Sequence, residues 1–284
     1  MKLRNSGAKF FIPDGRPTDK AVQRTTHMAI SAHQDDIEIM AGEGILKCFG
    51  REDEWFFAVV VTDGAGSPRN GLYAGYSGEQ LQAVRQLEQK KAAFVGEYGA
   101  LALLNYSSSE AKDPKNSLVT DEIKALVTSA RPKIVYTHNL ADKHDTHVSV
   151  AIKAVQALRE LPEDIRPEKL YGCEVWRSLD WLNDEDKVLF DVSAHPNIAS
   201  AVVSVHDSQI CGGKRYDLAT AGRRIANATY MASHYTDGSS ALIYGMDLTP
   251  LITDASINIK EFVRDYIERF ASDVGRRLER LSKG

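Results

Sequence analysis

The sequence predicts an α/β fold with a mostly parallel sheet that helices cover on both faces. Along the first half, short apolar segments rich in β-branched and aromatic residues alternate with segments of helical periodicity. Short, fully apolar strands are typical of parallel sheets, because both of their faces are buried. A chain of 284 residues, 43% hydrophobic and 26% charged, has an ordinary globular composition and is long enough for one large α/β domain.

Four strands and three helices are predicted in the first half of the chain. Residues 1–24 are polar and are interrupted by Pro13, Gly15 and Pro17, so we expect an irregular N-terminal arm there. The strands that follow are predicted at 25–32, 55–62, 100–105 and 133–137, and the helices between them at about 37–50, 78–97 and 119–130.

The second half has a less regular pattern. No linker-like or repetitive stretch separates it from the first half, so we interpret residues 25–284 as a single domain. Strands are predicted at 169–176 and 187–192, and helices at 146–160, 196–206, 214–232 and 257–282.

Composition and charge argue against several classes of partner. The net charge of −4 and the pI near 6.1 give no basic surface for nucleic acid. No apolar run approaches the roughly 18 residues of a membrane span, and no signal-peptide pattern is present. The three cysteines are far apart, which favours reduced thiols over disulfides. We therefore expect a cytoplasmic protein with no nucleic-acid or membrane partner.

An imidazole and two adjacent carboxylates follow the first apolar strand. His33, Asp35 and Asp36 come where this strand is predicted to end and a helix to begin. Proteins of the α/β class bind ligands at this end of their strands. Desolvating three such groups is costly unless a divalent metal compensates for it. The alternative is a helix cap beside a surface histidine, but two adjacent acids exceed what a cap needs.

A second cluster follows the predicted strand at 133–137 and contains His138, His144 and His147. Because His144 and His147 are three residues apart, they can share one face of the helix predicted there. A polar loop and helix cap would explain a single histidine. Two clusters at strand ends, expected on the same edge of one sheet, make coincidence a weaker explanation.

Together the two clusters provide two imidazoles and a carboxylate for a metal. Such a set leaves coordination positions open, as a catalytic metal requires. It does not by itself distinguish zinc hydrolases from ferrous oxygenases. The remaining aspartate favours hydrolysis, because a carboxylate beside the reacting water is suited to act as general base.

These residues resemble the motifs of the PIG-L/LmbE-like deacetylases. Residues 32–38 are similar to the family motif Ala-His-Pro-Asp-Asp-(Glu), and residues 144–147 to the motif His-x-Asp-His. The resemblance extends from about residue 26 to 230. It implies a Rossmann-like three-layer fold and a zinc-dependent enzyme that removes acyl groups, usually acetyl, from amino sugars and their conjugates. Weaker similarities lie at Gly42, Gly44, Arg85, Glu88, Ala92, Ala93 and residues 206–209.

The resemblance also implies a role for each site residue. His33, Asp36 and His147 would hold one zinc ion per chain, although Fe²⁺ or another divalent ion suits the same ligands. Asp35 would take a proton from the water that the metal activates. His144 would stabilise the oxyanion of the tetrahedral intermediate or protonate the departing amine.

Other positions of the resemblance are less specific. Arg85 is implied to bind a substrate hydroxyl or phosphate, and a solvated arginine on a helix face is the alternative. Gln34 replaces the usual proline of the first motif, and Ile37 stands where glutamate is common. We expect both changes to leave the metal ligands unaffected, and we interpret residues 206–209 as structural or supporting.

Thr146 is the departure with the largest consequence. It replaces the aspartate of the second motif, which in the family is suited to hold and bias the catalytic histidine. Its absence leaves the protonation state of His144 open, and Asp142 and Asp145 are candidates to replace it.

The predicted function is hydrolysis of a C–N bond other than a peptide bond. A zinc-dependent enzyme would remove an N-acetyl group from an amino sugar or sugar conjugate, a small-molecule substrate, and homo-oligomer formation is left open. An amidase acting on a larger glycoconjugate and a non-catalytic sugar-binding protein are the alternatives. Thr146 favours the binding protein, and the intact Asp35 opposes it.

Overall fold

The strands of the chain form one mixed sheet. A computed structural model describes residues 2–282, and within them eight strands lie in the order β1-β4-β3-β2-β5-β6-β8-β7 once numbered along the chain. They are β1 (Lys9–Phe11), β2 (His27–Ser31), β3 (Phe56–Thr62), β4 (Ala100–Tyr106), β5 (Ile134–His138), β6 (Lys169–Cys173), β7 (Val188–Asp191) and β8 (Leu242–Asp247). The five neighbouring strands from β4 to β6 are parallel, and the outer strands are antiparallel.

Helices cover both faces of this sheet, which confirms the predicted three-layer α/β fold with a mostly parallel sheet. No helix of residues 2–282 has the length and hydropathy to span a membrane. The predicted cytoplasmic location stays a prediction. The helices are α1 (Thr18–Gln23), α2 (Asp36–Met40), α3 (Gly42–Cys48), α4 (Gly78–Val95), α5 (Ser108–Lys112), α6 (Leu118–Ala130), α7 (Asp145–Arg159), α8 (Pro196–Ser204), α9 (Asp207–Ile210), α10 (Tyr216–Tyr230), α11 (Thr249–Thr253) and α12 (Ile259–Ser282).

Strand β3 shows why fully apolar segments formed the parallel strands. Successive side chains of a strand point to opposite faces of the sheet. Phe57 and Val59 belong to the core that α6 and α7 cover, whereas Phe56 and Ala58 belong to the core beneath α2 and α3. Because helices bury both faces, every residue of β3 is buried, and the strand has no polar alternation.

The structure differs from the sequence-based expectation in several places, and the short helices α5, α9 and α11 were not predicted. Residues 1–24, expected to be irregular, contain α1 and strand β1, which pairs with β4 and packs Phe10 against Phe57. The helix predicted at 37–50 is two helices, because the backbone leaves helical geometry at Ala41. Strand β8 was not predicted, and it joins β6 to β7 in the sheet.

The order of the strands creates a crevice at one point of the sheet. From β2 the chain adds β3 and β4 on one side and then returns to add β5 on the other side. Segments that leave β2 and β5 at their carboxyl ends therefore diverge, and α/β proteins bind ligands in the crevice between such segments. Strands from both halves share this sheet, and the interpretation of residues 25–284 as one domain stays a prediction.

Candidate active site

The two histidine clusters meet at the crevice between β2 and β5. Strand β2 leads directly into His33 and Asp36, and β5 leads through a short loop to His147 on α7. The ligand atoms form a nearly equilateral triangle: His33 Nδ1 is 3.2 Å from Asp36 Oδ2 and 3.1 Å from His147 Nε2, and those two are 3.3 Å apart.

This triangle fits a tetrahedral metal ion. Ligand atoms about 2.0–2.1 Å from a tetrahedral zinc ion are about 3.3 Å from one another. The spacing of the three side chains matches this edge length, and the donor set of two imidazoles and one carboxylate suits zinc. The three predicted ligands are therefore together in the structure, and their role as ligands stays a prediction.

His138 also reaches this cluster, although we assigned it no role from the sequence. Its ring stacks on the ring of His147 with centroids 3.9 Å apart, and its Nε2 is 3.5 Å from Asp36 Oδ2. The backbone N–H of Ala32 donates a hydrogen bond of 2.9 Å to the same Nε2. Since that lone pair is already engaged, His138 supports the cluster from behind and is a poor metal ligand.

Asp142 orients His147 from the side opposite the triangle. Its Oδ2 lies 3.5 Å from His147 Nδ1, while its oxygens accept backbone N–H bonds from His144 and Trp176. A carboxylate behind the imidazole fixes the ring and leaves Nε2 free to bind a metal. The sequence suggested Asp142 as a partner for the His144 ring, but the structure places it against His147.

The buried groups of the cluster shift one another's pKa values. Burial by itself would lower the pKa of His147, but the Asp36 and Asp142 carboxylates outweigh it and raise that pKa to about 9. Burial would raise the pKa of Asp36, but the charges of His147 and His138 hold it well below its usual value. A buried carboxylate kept anionic beside two imidazoles is the electrostatic state that a cation site requires.

His144 lies at the mouth of the site without a carboxylate on its ring. Its ring centroid is 5.0 Å from that of His33, and its buried Nδ1 has no hydrogen-bond partner within residues 2–282. Burial and the charges of His147 and His33 lower its pKa, so the neutral imidazole is favoured. Asp145 is exposed and Thr146 is buried, so neither supplies the carboxylate that the family motif places here.

Asp35 is held beside the triangle by a strained backbone and a buried arginine. Its φ of +89° is rare for a residue other than glycine. Its Oδ2 lies 3.5 Å from Arg85 Nη2, and both side chains are buried. Burial raises the pKa of Asp35 to about 7, although the guanidinium of Arg85 opposes the shift.

Arg85 is a buried side chain, so the alternative of a solvated helix-face arginine is excluded. Its Nη2 donates a 2.6 Å hydrogen bond to the Gln34 carbonyl, and its Nη1 donates to the Ser67 hydroxyl. Gln34, which replaces the proline of the family motif, donates its own side-chain N–H to the Thr62 carbonyl. Arg85 also lines the active-site cavity, and its predicted contact with substrate stays a prediction.

A layer of buried hydrogen bonds supports the start of α2. Glu38 accepts hydrogen bonds from Tyr98 at 2.6 Å and Gln89 at 2.7 Å, and it pairs with His206 Nε2 at 3.0 Å. Gln89 in turn accepts the backbone N–H of Asp35. This network gives residues around His206 the supporting role that the sequence favoured.

The triangle opens into a polar cavity of about 320 Å³. Its lining includes polar groups from Ser67, Ser108 and Lys112. It also includes the rings of Trp176 and Tyr216, with centroids 6.0 Å apart. Sequence reasoning missed both aromatic residues, because no local pattern links two positions 40 residues apart.

Several solved structures have a fold similar to that of this chain. N,N'-diacetylchitobiose deacetylase from Pyrococcus horikoshii matches with a TM-score of 0.64 and 16% identity over 87% of this chain and 92% of its own. The 4-carboxy-2-hydroxymuconate hydratase GalB from Pseudomonas putida matches with a TM-score of 0.60 and 16% identity, over 79% of this chain and 95% of its own. The A40926 pseudoaglycone deacetylase matches with a TM-score of 0.57 and 17% identity, over 79% of this chain and 97% of its own. At such identities these likenesses show a shared fold.

The sequence comparisons give one assignment. No curated protein sequence matches the chain. A family model described as PIG-L, GlcNAc-PI de-N-acetylase, matches residues 28–158, a range that includes both histidine clusters. Over residues 28–158 this chain therefore matches the PIG-L family.

Proposed function

We propose that this protein is a metal-dependent hydrolase that removes an N-acetyl group from an amino sugar or a sugar conjugate. The observation that carries the proposal is the triangle of His33, Asp36 and His147, with Asp35 beside it on the cavity wall. The PIG-L family domain and the deacetylases that share the fold support it.

The donor set suits zinc, and Fe²⁺ would accept the same ligands. Once bound, such an ion would polarise the amide carbonyl and lower the pKa of a water molecule from about 16 towards about 7. Asp142 would keep His147 in the tautomer that presents its Nε2 lone pair, since its carboxylate faces Nδ1.

Asp35 takes the proton from the attacking water. Burial favours the neutral carboxyl and Arg85 favours the carboxylate, and the balance places the pKa of Asp35 at about 7. A base with a pKa near the working pH is effective, because it is ionised and still accepts a proton readily. The water oxygen bonds to the acetyl carbon to give the tetrahedral intermediate. When this intermediate collapses, the C–N bond breaks and the proton passes from Asp35 to the amine nitrogen, giving a free amine and acetic acid, which ionises to acetate.

His144 acts on the oxygen of the tetrahedral intermediate. Its ring lines the cavity, with its centroid 5.0 Å from that of His33. Because its lowered pKa favours the neutral imidazole, it donates one N–H to the developing oxyanion and carries no competing positive charge. His144 stabilises the oxyanion without a carboxylate on its ring, because Thr146 replaces the aspartate of the family motif.

The cavity walls suit one sugar ring. Trp176 and Tyr216 provide aromatic faces for the apolar face of a sugar, while Ser67, Ser108 and Lys112 provide partners for hydroxyl groups. A volume of about 320 Å³ is at the lower end of small-molecule sites, which are about 300–1,000 Å³. One acetylated ring would therefore enter, and the remainder of a conjugate would stay outside.

The fold alone does not choose this reaction. GalB shares the fold and is a hydratase, so the chemistry must be tested at the site itself. The test is metal analysis of the purified protein together with acetate release from a panel of N-acetylated sugars and glycoconjugates. We expect one zinc per chain and acetate from at least one substrate. Stoichiometric zinc with no acetate from any panel member would contradict the proposal and favour the sugar-binding alternative.

A further inference from the structure

Helix α12 packs on the body of the protein only through its first half. Phe262, Val263 and Tyr266 are partly buried against the core, and Arg269 pairs with Asp186. After this ion pair, the described part of the helix continues to Ser282 without a buried side chain.

An apolar stripe continues along the second half of this helix. It consists of five side chains between 40% and 73% exposed. At 3.6 residues per turn they lie within an arc of roughly 80°, so they form one continuous face. Soluble monomers rarely expose a contiguous apolar face of this kind without a partner. The stripe is made of Ile267, Phe270, Val274, Leu278 and Leu281.

The spacing of the stripe is symmetric about Val274. Its members lie seven and four residues before Val274 and four and seven residues after it. A two-fold axis beside Val274 would therefore place Ile267 of one copy opposite Leu281 of a second copy, and Phe270 opposite Leu278. Such self-complementarity is what a symmetric homodimer interface requires.

The flanks of the stripe obey the same symmetry. One flank carries Asp273 and Arg277, which are one helical turn apart with their charged atoms 3.1 Å from each other. The rotation brings Asp273 of one copy beside Arg277 of the other, so opposite charges face each other on this flank. The second flank carries Ala271 and Gly275, whose small size allows the two helices to approach closely.

We propose that α12 pairs with α12 of a second copy in antiparallel orientation, with the two-fold axis beside Val274, to form a homodimer. The pairing buries the five apolar side chains of each helix. An interface built from one helix pair is small, so the dimer dissociates on dilution. The proposal does not depend on the hydrolase activity.

Sedimentation analysis of the full chain between about 1 and 100 µM tests this pairing. We expect the wild type to change from monomer to dimer, and Val274→Glu to remain monomeric with an unchanged helical circular-dichroism spectrum. Leu87→Glu, at an exposed leucine on α4, is the matched control and should dimerise like the wild type. A wild type that stays monomeric at 100 µM, or a dimer that Val274→Glu leaves intact, would overturn the proposal.

A charge exchange tests the orientation of the helices. Asp273→Arg should weaken the dimer at least tenfold, which corresponds to about 1.4 kcal/mol. Adding Arg277→Asp to that variant should restore it, because the exchanged pair again places opposite charges side by side. A double variant as weak as the single one would exclude this register. Monomeric protein that binds vesicles containing anionic lipid would show that the stripe faces a membrane surface, which also contradicts the proposal.

Discussion

At the scale of single residues, the two adjacent aspartates of the first cluster have different surroundings. Asp36 contacts imidazoles, which keep its pKa low, whereas Asp35 faces one guanidinium in a buried position and its pKa is about 7. The sequence shows only two identical neighbours. The backbone is not helical at Asp35, where φ is +89°, whereas Asp36 is the first residue of α2, so the two carboxylates do not occupy consecutive helical positions.

Replacing Asp35 by asparagine tests its role as the base. We expect Asp35→Asn to lower kcat by about 10²–10⁴, the usual contribution of a general base. Zinc content should be unchanged, because Asp35 is not part of the ligand triangle. The measurement is acetate release together with metal analysis of the same preparation. Activity within a few fold of the wild type would assign the proton transfer to another group.

The contact between Asp142 and His147 provides a separate test of the metal site. Asp142→Asn should weaken metal affinity by about 10–100-fold, because the imidazole loses the carboxylate that orients it. Asp145→Asn is the matched control, since Asp145 is an exposed aspartate three residues away, at the start of the helix that carries His147. Competition with a chromogenic zinc chelator measures both affinities. Equal affinities in the two variants would show that Asp142 does not act on the metal ligand.

At the scale of elements, the buried network joins α2, α4 and α9 behind the site. The carboxylate of Glu38 pairs with His206, and Glu88 of α4 accepts hydrogen bonds of 2.6 and 2.7 Å from the hydroxyl and backbone N–H of Ser208. These contacts connect residues far apart in sequence. Their loss should affect stability more than metal binding.

The Glu38–His206 pair predicts a pH-dependent stability. Burial by itself would lower the pKa of His206, but Glu38 outweighs it and raises that pKa above 6.5. The stabilisation is therefore complete below pH 6.5 and is lost as the pH rises through the raised pKa. We expect His206→Gln to lower the free energy of unfolding by roughly 3 kcal/mol at pH 6 and by less at pH 9.

Urea unfolding of wild type and variant at both pH values measures this difference. His195→Gln is the matched control, because His195 is exposed at the start of α8. A His206→Gln effect of equal size at pH 6 and pH 9 would show that the protonated imidazole does not stabilise the fold.

At the scale of the whole molecule, the sequence was informative where chemistry and periodicity coincide. Strand β3 was predictable because burial on both faces removes polar residues. The convergence of His33 and His147 was predictable because parallel strands place their carboxyl ends at one edge. Strand β1 has three residues and β8 is an antiparallel strand near the end of the sheet, so neither has a distinctive pattern. The contact of Asp142 depends on ring orientation, which spacing does not determine.

The substrate wall is the clearest property that only the folded chain reveals. Trp176 follows β6 and Tyr216 begins α10, and the fold brings the two rings together over the cavity. Contacts between two aromatic rings contribute about 0.5–1.5 kcal/mol, and we take a similar magnitude for a sugar face on the Trp176 ring. We therefore expect Trp176→Ala to lower kcat/KM for an N-acetylated sugar by about tenfold, with KM rising and zinc content unchanged. Tyr230→Ala, at an exposed ring of α10 outside the cavity, is the control and should match the wild type. If Trp176→Ala leaves KM unchanged, the sugar does not stack on this wall.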